Sequence, residues 1–211
     1  MITHANSLLQ LNHLSDNAVV ELIPSFFHLP HTDHADGAYR LRRYSMVQLC
    51  GERLLALPES DFVQSTDVNH FQGDVVRHFE PLEPETVASD GLKEMCELFL
   101  EAHELARDHV IEVHQIRIVA INEHTPVAPE GVHQDGFDHI AVIGIHRHNI
   151  EGGDFMVFRE RNAQPIMALT LQDGDVAILD DHQLWHYATP ITACDEREPA
   201  YMDVFVLTAK D

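Results

Sequence analysis

Two histidines and one aspartate in this chain have the residue types and the spacing of a transition-metal site. The stretch GVHQDGFDHI, residues 131 to 140, holds His133 and Asp135 two positions apart, and His186 follows in a later apolar run. Side chains two positions apart on an extended segment point to the same side. Two imidazoles and one carboxylate on one face of a metal leave three positions open, which suits a metal that must bind oxygen and a second ligand.

The His-x-Asp spacing by itself has a second interpretation. The chain contains 17 histidines and 35 acidic residues, so this spacing also arises by chance. An Asp beside a glycine often forms an Asx turn in a solvated loop. The spacing therefore defines a candidate site, and the surrounding elements must bring His186 back to His133 and Asp135 before the three can act together.

Two segments in the first half of the chain have the pattern of helices. Residues 15 to 27 begin with a Ser-Asp pair as candidate N-caps and carry apolar residues at near-helical spacing up to Pro24. Residues 89 to 109 repeat apolar side chains at steps of mostly three and four. Between these two helices, the β-branched and aromatic content of AYRLRRYSMVQL, residues 38 to 49, predicts a long strand.

From residue 111 onward the pattern changes to short, β-branched runs separated by turn residues such as Gly152-Gly153, which we interpret as a hairpin turn. This pattern predicts an antiparallel barrel or sandwich, so the expected fold class is mainly β with flanking α-helices. We expect one domain over residues 1–211. In it, residues 1–110 supply the helices and strands that pack on the barrel, and residues 111–211 supply most of the barrel with the metal site.

The composition excludes several classes of partner. A formal charge of −22, from 13 basic and 35 acidic residues, would repel nucleic acid and anionic membranes. No apolar run approaches the roughly 20 residues that a membrane span needs, and the N-terminus lacks a secretory signal. Three widely separated cysteines indicate neither a disulfide framework nor a thiolate zinc site. We therefore expect a cytoplasmic protein whose partner is neither nucleic acid nor a membrane. The oligomeric state stays open, with a homo-oligomer as one alternative.

Longer segments around the three candidate ligands resemble a known family. PEGVHQDGFDHIAVIGIHRHNIEGGDFMVF and LQDGDVAILDDHQLWHYATPI are similar to the 2-oxoglutarate and Fe(II) dependent dioxygenases that hydroxylate free aliphatic amino acids. The resemblance extends through YRLRRYSMV, HFEPL and VHQIRIVA, and so covers most of the chain from about residue 39.

This resemblance implies a double-stranded β-helix, that is, a jelly-roll or cupin-like barrel. It also implies His133, Asp135 and His186 as the iron ligands, with Fe(II), 2-oxoglutarate and O2 as cofactors. In the implied reaction, 2-oxoglutarate is decarboxylated to succinate while an unactivated C–H bond of the substrate is oxidised.

The basic residue that would bind the distal carboxylate of 2-oxoglutarate is the point where this chain departs from the family. Related enzymes place an arginine at the start of the last barrel strand, where this chain has Met202. A guanidinium pairs with a carboxylate through two parallel hydrogen bonds, so we expect another arginine in its place. The candidates are Arg147 on the strand after the metal turn, Arg197 in the loop TACDEREPA, and Arg117 on an early strand. Arg147 ranks marginally first, because a strand holds the guanidinium more rigidly than a Glu-rich loop.

Arg42, Arg43 and Ser45 are candidates for binding the substrate, although Arg42 and Arg43 could equally offset the acidic surface of the chain. Two other polar clusters have simpler interpretations. The segment HLPHTDH, residues 28 to 34, is expected to be a solvated loop rather than a zinc site. The neighbouring carboxylates Asp180 and Asp181 are expected to be solvated at a strand end.

Two functional hypotheses follow from these observations. The first is a 2-oxoglutarate dependent non-haem iron dioxygenase that hydroxylates a small free amino acid or similar metabolite, or sulfoxidises a thioether. The second is a metal-binding or small-ligand-binding β-barrel that has lost 2-oxoglutarate, and it is motivated by Met202.

Overall fold

The protein is described here by a computed structural model that covers residues 8–58, 62 and 76–211. The helices in these ranges are α1 (Asp16–Leu22), α2 (Pro84–Val87) and α3 (Asp90–Ala102), with a 3-10 helix at Ile23–His28. The strands are β1 (Leu9–His13), β2 (Arg40–Cys50), β3 (Arg53–Ala56), β4 (Ile111–Val119), β5 (His139–His148), β6 (Ile150–Gly152), β7 (Phe155–Phe158), β8 (Met167–Leu169), β9 (Asp175–Asp180), β10 (Trp185–Ala188), β11 (Ile191–Ala193) and β12 (Tyr201–Ala209).

The two predicted helices are present, and each is capped by a serine. The Ser15 side chain accepts a hydrogen bond from the Ala18 amide at the start of α1, and the Ser89 side chain accepts one from the Leu92 amide at the start of α3. The two helices pack closely: a Cβ atom at Gly91 would lie 2.9 Å from the Ala18 carbonyl oxygen. A glycine is therefore needed where α3 crosses α1.

Helix α3 is shorter than the sequence pattern predicts. It ends at Ala102, although the apolar spacing continues to Ala106. Glu104 adopts a positive φ of 55°, and the amides of Glu104 and Leu105 donate to the carbonyls of Glu101 and Leu100. This is a Schellman motif, in which a left-handed residue closes the last turn. The closure turns the chain toward β4 before the next helical turn can form.

The strands of the described residues pair antiparallel in three groups. A large sheet has the order β1-β9-β5-β12-β4-β2-β3, a smaller sheet has the order β10-β7-β8, and β11 pairs with β6. One hydrophobic cluster joins the helices to the large sheet, for example through the edge-on contact of Phe26 with Phe205. The mainly β jelly-roll with flanking helices is confirmed, and α1 and α3 cover the large sheet as expected.

Gly152 and Gly153 do not form the hairpin turn that the sequence suggested. Both have positive φ, 78° and 70°, and they lead from β6 to β7. These two strands pair with different partners, β11 and β10. The two glycines therefore carry the chain between sheets, and Gly153 reaches the pocket described below. Among the residues described, no helix has the length and apolar character needed to cross a membrane.

Candidate metal centre

Backbone pairing brings the segment of His133 and Asp135 to the strand of His186. His133 and His186 form an antiparallel bridge in which each amide donates to the other carbonyl, at 3.0 and 2.9 Å. The same pairing places the two imidazole rings side by side, with centroids 4.3 Å apart. Strand β10, which carries His186, is held from its other edge by β7. Residues far apart in the chain thus meet through two rigid backbone contacts.

The three side chains converge with their ligand atoms facing one another. His133 Nε2 lies 3.6 Å from one Asp135 carboxylate oxygen, and His186 Nε2 lies 3.5 Å from the other. Among the described residues, these three are the group whose ligand atoms, all within 4.8 Å of one another, could hold a metal ion. His133 Nδ1 donates to the Gly131 carbonyl at 2.8 Å, which makes Nε2 the nitrogen that can bind a metal. This donor set fits a divalent iron ion.

The protonation of this group reflects its burial and its mixed charges. Burial opposes ionisation of Asp135, but the neighbouring imidazoles outweigh it and hold the pKa of this carboxyl well below its usual range. Burial also acts against charge on His133, yet Asp135 and Glu130 raise the pKa of His133 to about 9. The carboxylate is therefore ionised, and a metal ion entering the site would displace a proton from His133.

One pocket connects these three residues to a group of arginines. Its lining includes His133, Asp135 and His186, here called the metal wall. It also includes Arg40, Arg42, Arg77 and His114, here called the arginine wall. Apolar side chains line the pocket between the two walls, among them Ile116, Phe155 and Met202. The pocket therefore combines a candidate metal site with cations a short distance away.

Arg42 is a buried cation of the arginine wall. Its guanidinium donates to His114 Nδ1 at 2.8 Å and lies over the rings of Phe79 and Phe62, at 4.8 and 5.5 Å from their centroids. Burial and the neighbouring Arg40 and Arg77 lower the pKa of Arg42 to about 9. In the described part of the chain, no carboxylate lies within ion-pair distance of Arg42.

His114 stays neutral beside Arg42. Burial, and then Arg42 itself, hold the pKa of His114 well below its usual value. A neutral imidazole can accept the hydrogen bond from Arg42 but cannot balance its charge. The arginine wall therefore presents a buried positive charge to the pocket, and a bound anion would compensate it.

Arg43 and Ser45 point away from the pocket, unlike Arg42. Arg43 forms ion pairs with Glu80 and Glu83 at 2.9 and 3.4 Å, and Ser45 accepts a hydrogen bond from the Leu82 amide at 3.0 Å. These contacts fasten the segment before α2 to β2. Of the three predicted substrate residues, the structure places only Arg42 in the pocket lining.

The arginines proposed for 2-oxoglutarate have different surroundings. Arg197 is exposed and pairs with Asp195 at 2.7 Å. Arg117 donates two hydrogen bonds of 2.7 Å to Asp203 and stacks on the Tyr201 ring. Burial raises the pKa of Asp203 even with Arg117 beside it. Neither arginine lines the pocket, and both have carboxylate partners of their own.

Arg147 lies directly opposite Met202, the position at which the sequence resemblance led us to expect an arginine. The two residues are register partners between β5 and β12. Arg147 Nη2 donates to the Gly152 carbonyl at 2.6 Å, whereas its Nη1 is buried and forms no hydrogen bond with the part of the chain that the structure describes. A Cβ atom at Gly153 would lie 3.1 Å from Met202 Sδ and 3.2 Å from Arg147 Nη1. A free donor of Arg147 thus lies just behind the pocket wall that Gly153 and Met202 form.

Sequence reasoning missed Arg40, Arg77, His114 and Glu130 as pocket residues. Strand alternation could have found Arg40, because it lies two positions from Arg42 and shares its face of β2. Nothing local marks Arg77, which reaches the pocket from an irregular segment. Two histidines of the segment at residues 28 to 34, predicted as a loop, contact backbone carbonyls: His31 contacts that of Gly37, and His34 contacts that of His78.

Comparison with known proteins identifies the family. The family model described as 2OG-Fe dioxygenase matches residues 23–208. The chain belongs to the 2OG-Fe dioxygenase family. A crystal structure of a bsmA homolog from Methylobium petroleophilum PM1 is 30% identical, with a TM-score of 0.76 over 92% of this chain and 81% of that chain.

More distant structures share the fold. IDO from Bacillus thuringiensis is 16% identical, with a TM-score of 0.73 over 91% of this chain and 82% of that chain. The Fe(II)/(alpha)ketoglutarate-dependent dioxygenase TqaL is 15% identical, with a TM-score of 0.65 over 97% and 83%. No curated protein sequence matches the chain. As a 2OG-Fe dioxygenase family member, the protein uses Fe(II), 2-oxoglutarate and O2, in agreement with its two-His, one-Asp site.

Proposed function

We propose that this dioxygenase oxidises a small free amino acid, or a similar metabolite that carries a carboxylate, by hydroxylation or, on a thioether, by sulfoxidation. Succinate and CO2 would be the co-products. The observation that carries the proposal is the pocket with a metal wall on one side and, on the other, Arg42, which has no carboxylate partner among the described residues. A substrate carboxylate at Arg42 would neutralise the buried charge and direct the rest of the molecule toward the metal wall.

His133, Asp135 and His186 are the proposed iron ligands. Bound iron would supply the oxygen-activating chemistry of the family, with 2-oxoglutarate as the source of electrons. The protein sets the arrangement: the Gly131 carbonyl accepts a hydrogen bond from His133 Nδ1, and the ionised Asp135 carboxylate lies between the Nε2 atoms of His133 and His186. Three ligands from one face leave the remaining positions to 2-oxoglutarate and oxygen.

Arg147 is the proposed partner of the distal carboxylate of 2-oxoglutarate. Support comes from its unused buried Nη1 and from its place opposite Met202. Arg197 and Arg117 would first have to release Asp195 and Asp203. A buried donor without a partner costs free energy, so Arg147 gains most from a carboxylate at this end of the pocket.

Glu130 is the proposed contact for the ammonium group of an amino acid. It lines the same pocket, and its carboxylate lies 3.4 Å from His133 Nε2. Arginines and a carboxylate in one pocket would bind a zwitterion at both of its charges. This arrangement favours an amino acid over a simple carboxylic acid, because only the amino acid pairs with Glu130.

The test is a turnover assay on anaerobically purified protein supplied with Fe(II), 2-oxoglutarate and oxygen. Each proteinogenic amino acid is added in turn, and succinate and the oxidised amino acid are quantified against a His133→Ala control. We expect at least one amino acid to stimulate succinate release well above the control and to appear as a hydroxylated or sulfoxidised product. The absence of any stimulation would contradict the proposal.

The non-catalytic alternative has its own signature. Bidentate 2-oxoglutarate on iron gives a weak visible charge-transfer band. Failure to see this band at millimolar 2-oxoglutarate, in a protein that still binds Fe(II), would favour a metal-binding barrel that has lost its cosubstrate.

We further propose that residues 1–211 act as one dioxygenase domain, since one hydrophobic cluster spans the helices and the barrel. Cytoplasmic localisation stays a prediction from the sequence.

A further inference from the structure

We propose that Asp181 is a positioning residue that couples the two halves of the metal centre. Its carboxylate holds the turn that carries Asp135 and faces the remote nitrogen of His186. The inference rests on the proposed iron ligands. Asp181 directly follows β9 and is 1% exposed, so the solvated strand-end carboxylate expected from the sequence is wrong for this residue. A buried carboxylate needs partners, and those of Asp181 belong to the metal centre.

The first set of partners consists of backbone amides of the ligand turn. Asp181 Oδ1 accepts from the Asp135 amide at 3.1 Å, and Oδ2 accepts from the amides of Gly136 and Phe137 at 2.8 and 3.2 Å. Three successive amides that converge on one anion form a nest, which Gly136 permits with its φ of 81°. This contact fixes the backbone at Asp135, and so the direction of its side chain.

The second partner is the imidazole of His186. Its Nε2 faces Asp135, so its Nδ1 points to the opposite side, where Asp181 Oδ1 lies 3.7 Å away. This Nδ1 is buried and has no hydrogen bond among the described residues. A metal-bound histidine ordinarily donates its other N–H to a carboxylate or carbonyl, which fixes the tautomer and the ring. Asp181 is the carboxylate in place to accept it, after a ring movement of less than an ångström.

A separate contact keeps the backbone in place when the Asp181 side chain is changed. Gln134 Nε2 donates to the backbone carbonyls of Asp181 and Leu184, at 2.5 and 3.3 Å. The turn would therefore stay docked in an Asp181 variant. An amide side chain of the same shape still fails, because asparagine has an oxygen on one side only. With its oxygen in the place of Oδ1, the NH2 group would face the amides of Gly136 and Phe137; in the other orientation it would face the Asp135 amide and His186 Nδ1.

The experiment measures Co(II) binding, with Co(II) as a spectroscopic substitute for iron, in wild type, Asp181→Asn, Asp180→Asn and His133→Ala. Asp180 is the matched control, because among the described residues its carboxylate accepts only from the backbone amides of His182 and Gln183 and from the Gln183 side chain. Thermal unfolding of each metal-free variant verifies that it is folded. We expect Asp181→Asn to weaken Co(II) binding by about ten- to a hundred-fold and to change the visible Co(II) spectrum. Asp180→Asn should match wild type.

The outcomes separate this inference from the proposed function. If wild type binds Co(II) and His133→Ala does not, the metal centre stands. In that case, an Asp181→Asn protein with wild-type affinity and spectrum would overturn the role of Asp181 alone. If wild type and His133→Ala bind Co(II) equally, both proposals fail. A purely structural role would lower the unfolding temperature of metal-free Asp181→Asn while leaving affinity and spectrum unchanged, and would also overturn the inference.

Discussion

The metal wall and the arginine wall of the pocket solve the problem of buried charge in opposite ways. In the metal wall, Asp135 lies between His133 and His186, so opposite charges and hydrogen-bonding groups face one another before any ligand arrives. In the arginine wall, Arg42 has a neutral His114 as its hydrogen-bonding partner. One wall is preorganised and nearly self-neutral, whereas the other carries a charge that its own side chains leave unbalanced.

This difference indicates which wall can gain free energy by binding a ligand. Removing a group from a balanced cluster leaves its partner unpaired and lowers the stability of the folded protein. Removing an unbalanced cation relieves a desolvation cost and weakens only the binding of the anion that would have paired with it. The two walls should therefore respond differently in stability and in activity.

The largest effect is expected at the metal wall. Asp135→Ala removes the proposed anionic ligand, and we expect Fe(II) affinity to fall by more than about a hundred-fold, beyond the range of an outer-shell partner. Isothermal titration with Fe(II) under anaerobic conditions measures this directly. Succinate formation should fall to the level without enzyme. An Asp135→Ala protein that retains wild-type affinity would show that the triad is not the metal site.

The next effect is expected at the arginine wall. Arg42→Met should raise the KM for the amino acid by about thirty-fold, equivalent to about 2 kcal/mol, while leaving Fe(II) affinity unchanged. The ligand-free variant should be as stable as wild type or more stable, because an uncompensated buried cation is replaced by an apolar side chain. Kinetics and urea unfolding measure the two quantities.

Arg43→Met is the matched control for Arg42→Met. The Arg43 guanidinium is next to Arg42 in sequence but pairs with Glu80 and Glu83 outside the pocket. Its loss should therefore leave the KM for the amino acid unchanged. Equal increases of KM in the two variants would remove the distinction between the walls.

A smaller effect is expected for the cosubstrate. Arg147→Met should raise the KM for 2-oxoglutarate by about ten-fold, since it removes one charge-assisted contact. Arg197→Met should leave it unchanged, because Arg197 is exposed and paired with Asp195. Initial rates at varied 2-oxoglutarate provide the measurement. The reverse pattern would make the loop at residues 194 to 199 the anchor.

The smallest effect on catalysis, with a clear effect on stability, is expected for Arg117. Arg117→Met leaves the buried Asp203 carboxylate without its two hydrogen bonds, and we expect a loss of about 3 kcal/mol in the free energy of unfolding. The KM for 2-oxoglutarate should not change. A destabilised Arg117→Met beside an undestabilised Arg42→Met would establish the contrast between balanced and unbalanced arginines. A large rise of the KM for 2-oxoglutarate in Arg117→Met would contradict it.

The sequence by itself determined the fold class and the candidate metal ligands. Both depend on local patterns: alternation and turn residues define strands after residue 111, helical spacing and serine caps define α1 and α3, and His-x-Asp places two side chains on one side. The sequence stated only the requirement that a later strand return His186 to the turn, and the bridge between His133 and His186 meets it.

Only the tertiary structure decided which polar groups are balanced. Asp203 pairs with Arg117 because of the register between β4 and β12, and Asp181 meets amides of a turn that is distant in the chain. Arg42 and Arg43 are adjacent in sequence, yet one faces the pocket and the other faces Glu80. Charge compensation depends on contacts between residues that the chain holds far apart, and composition and spacing along one segment do not contain that information.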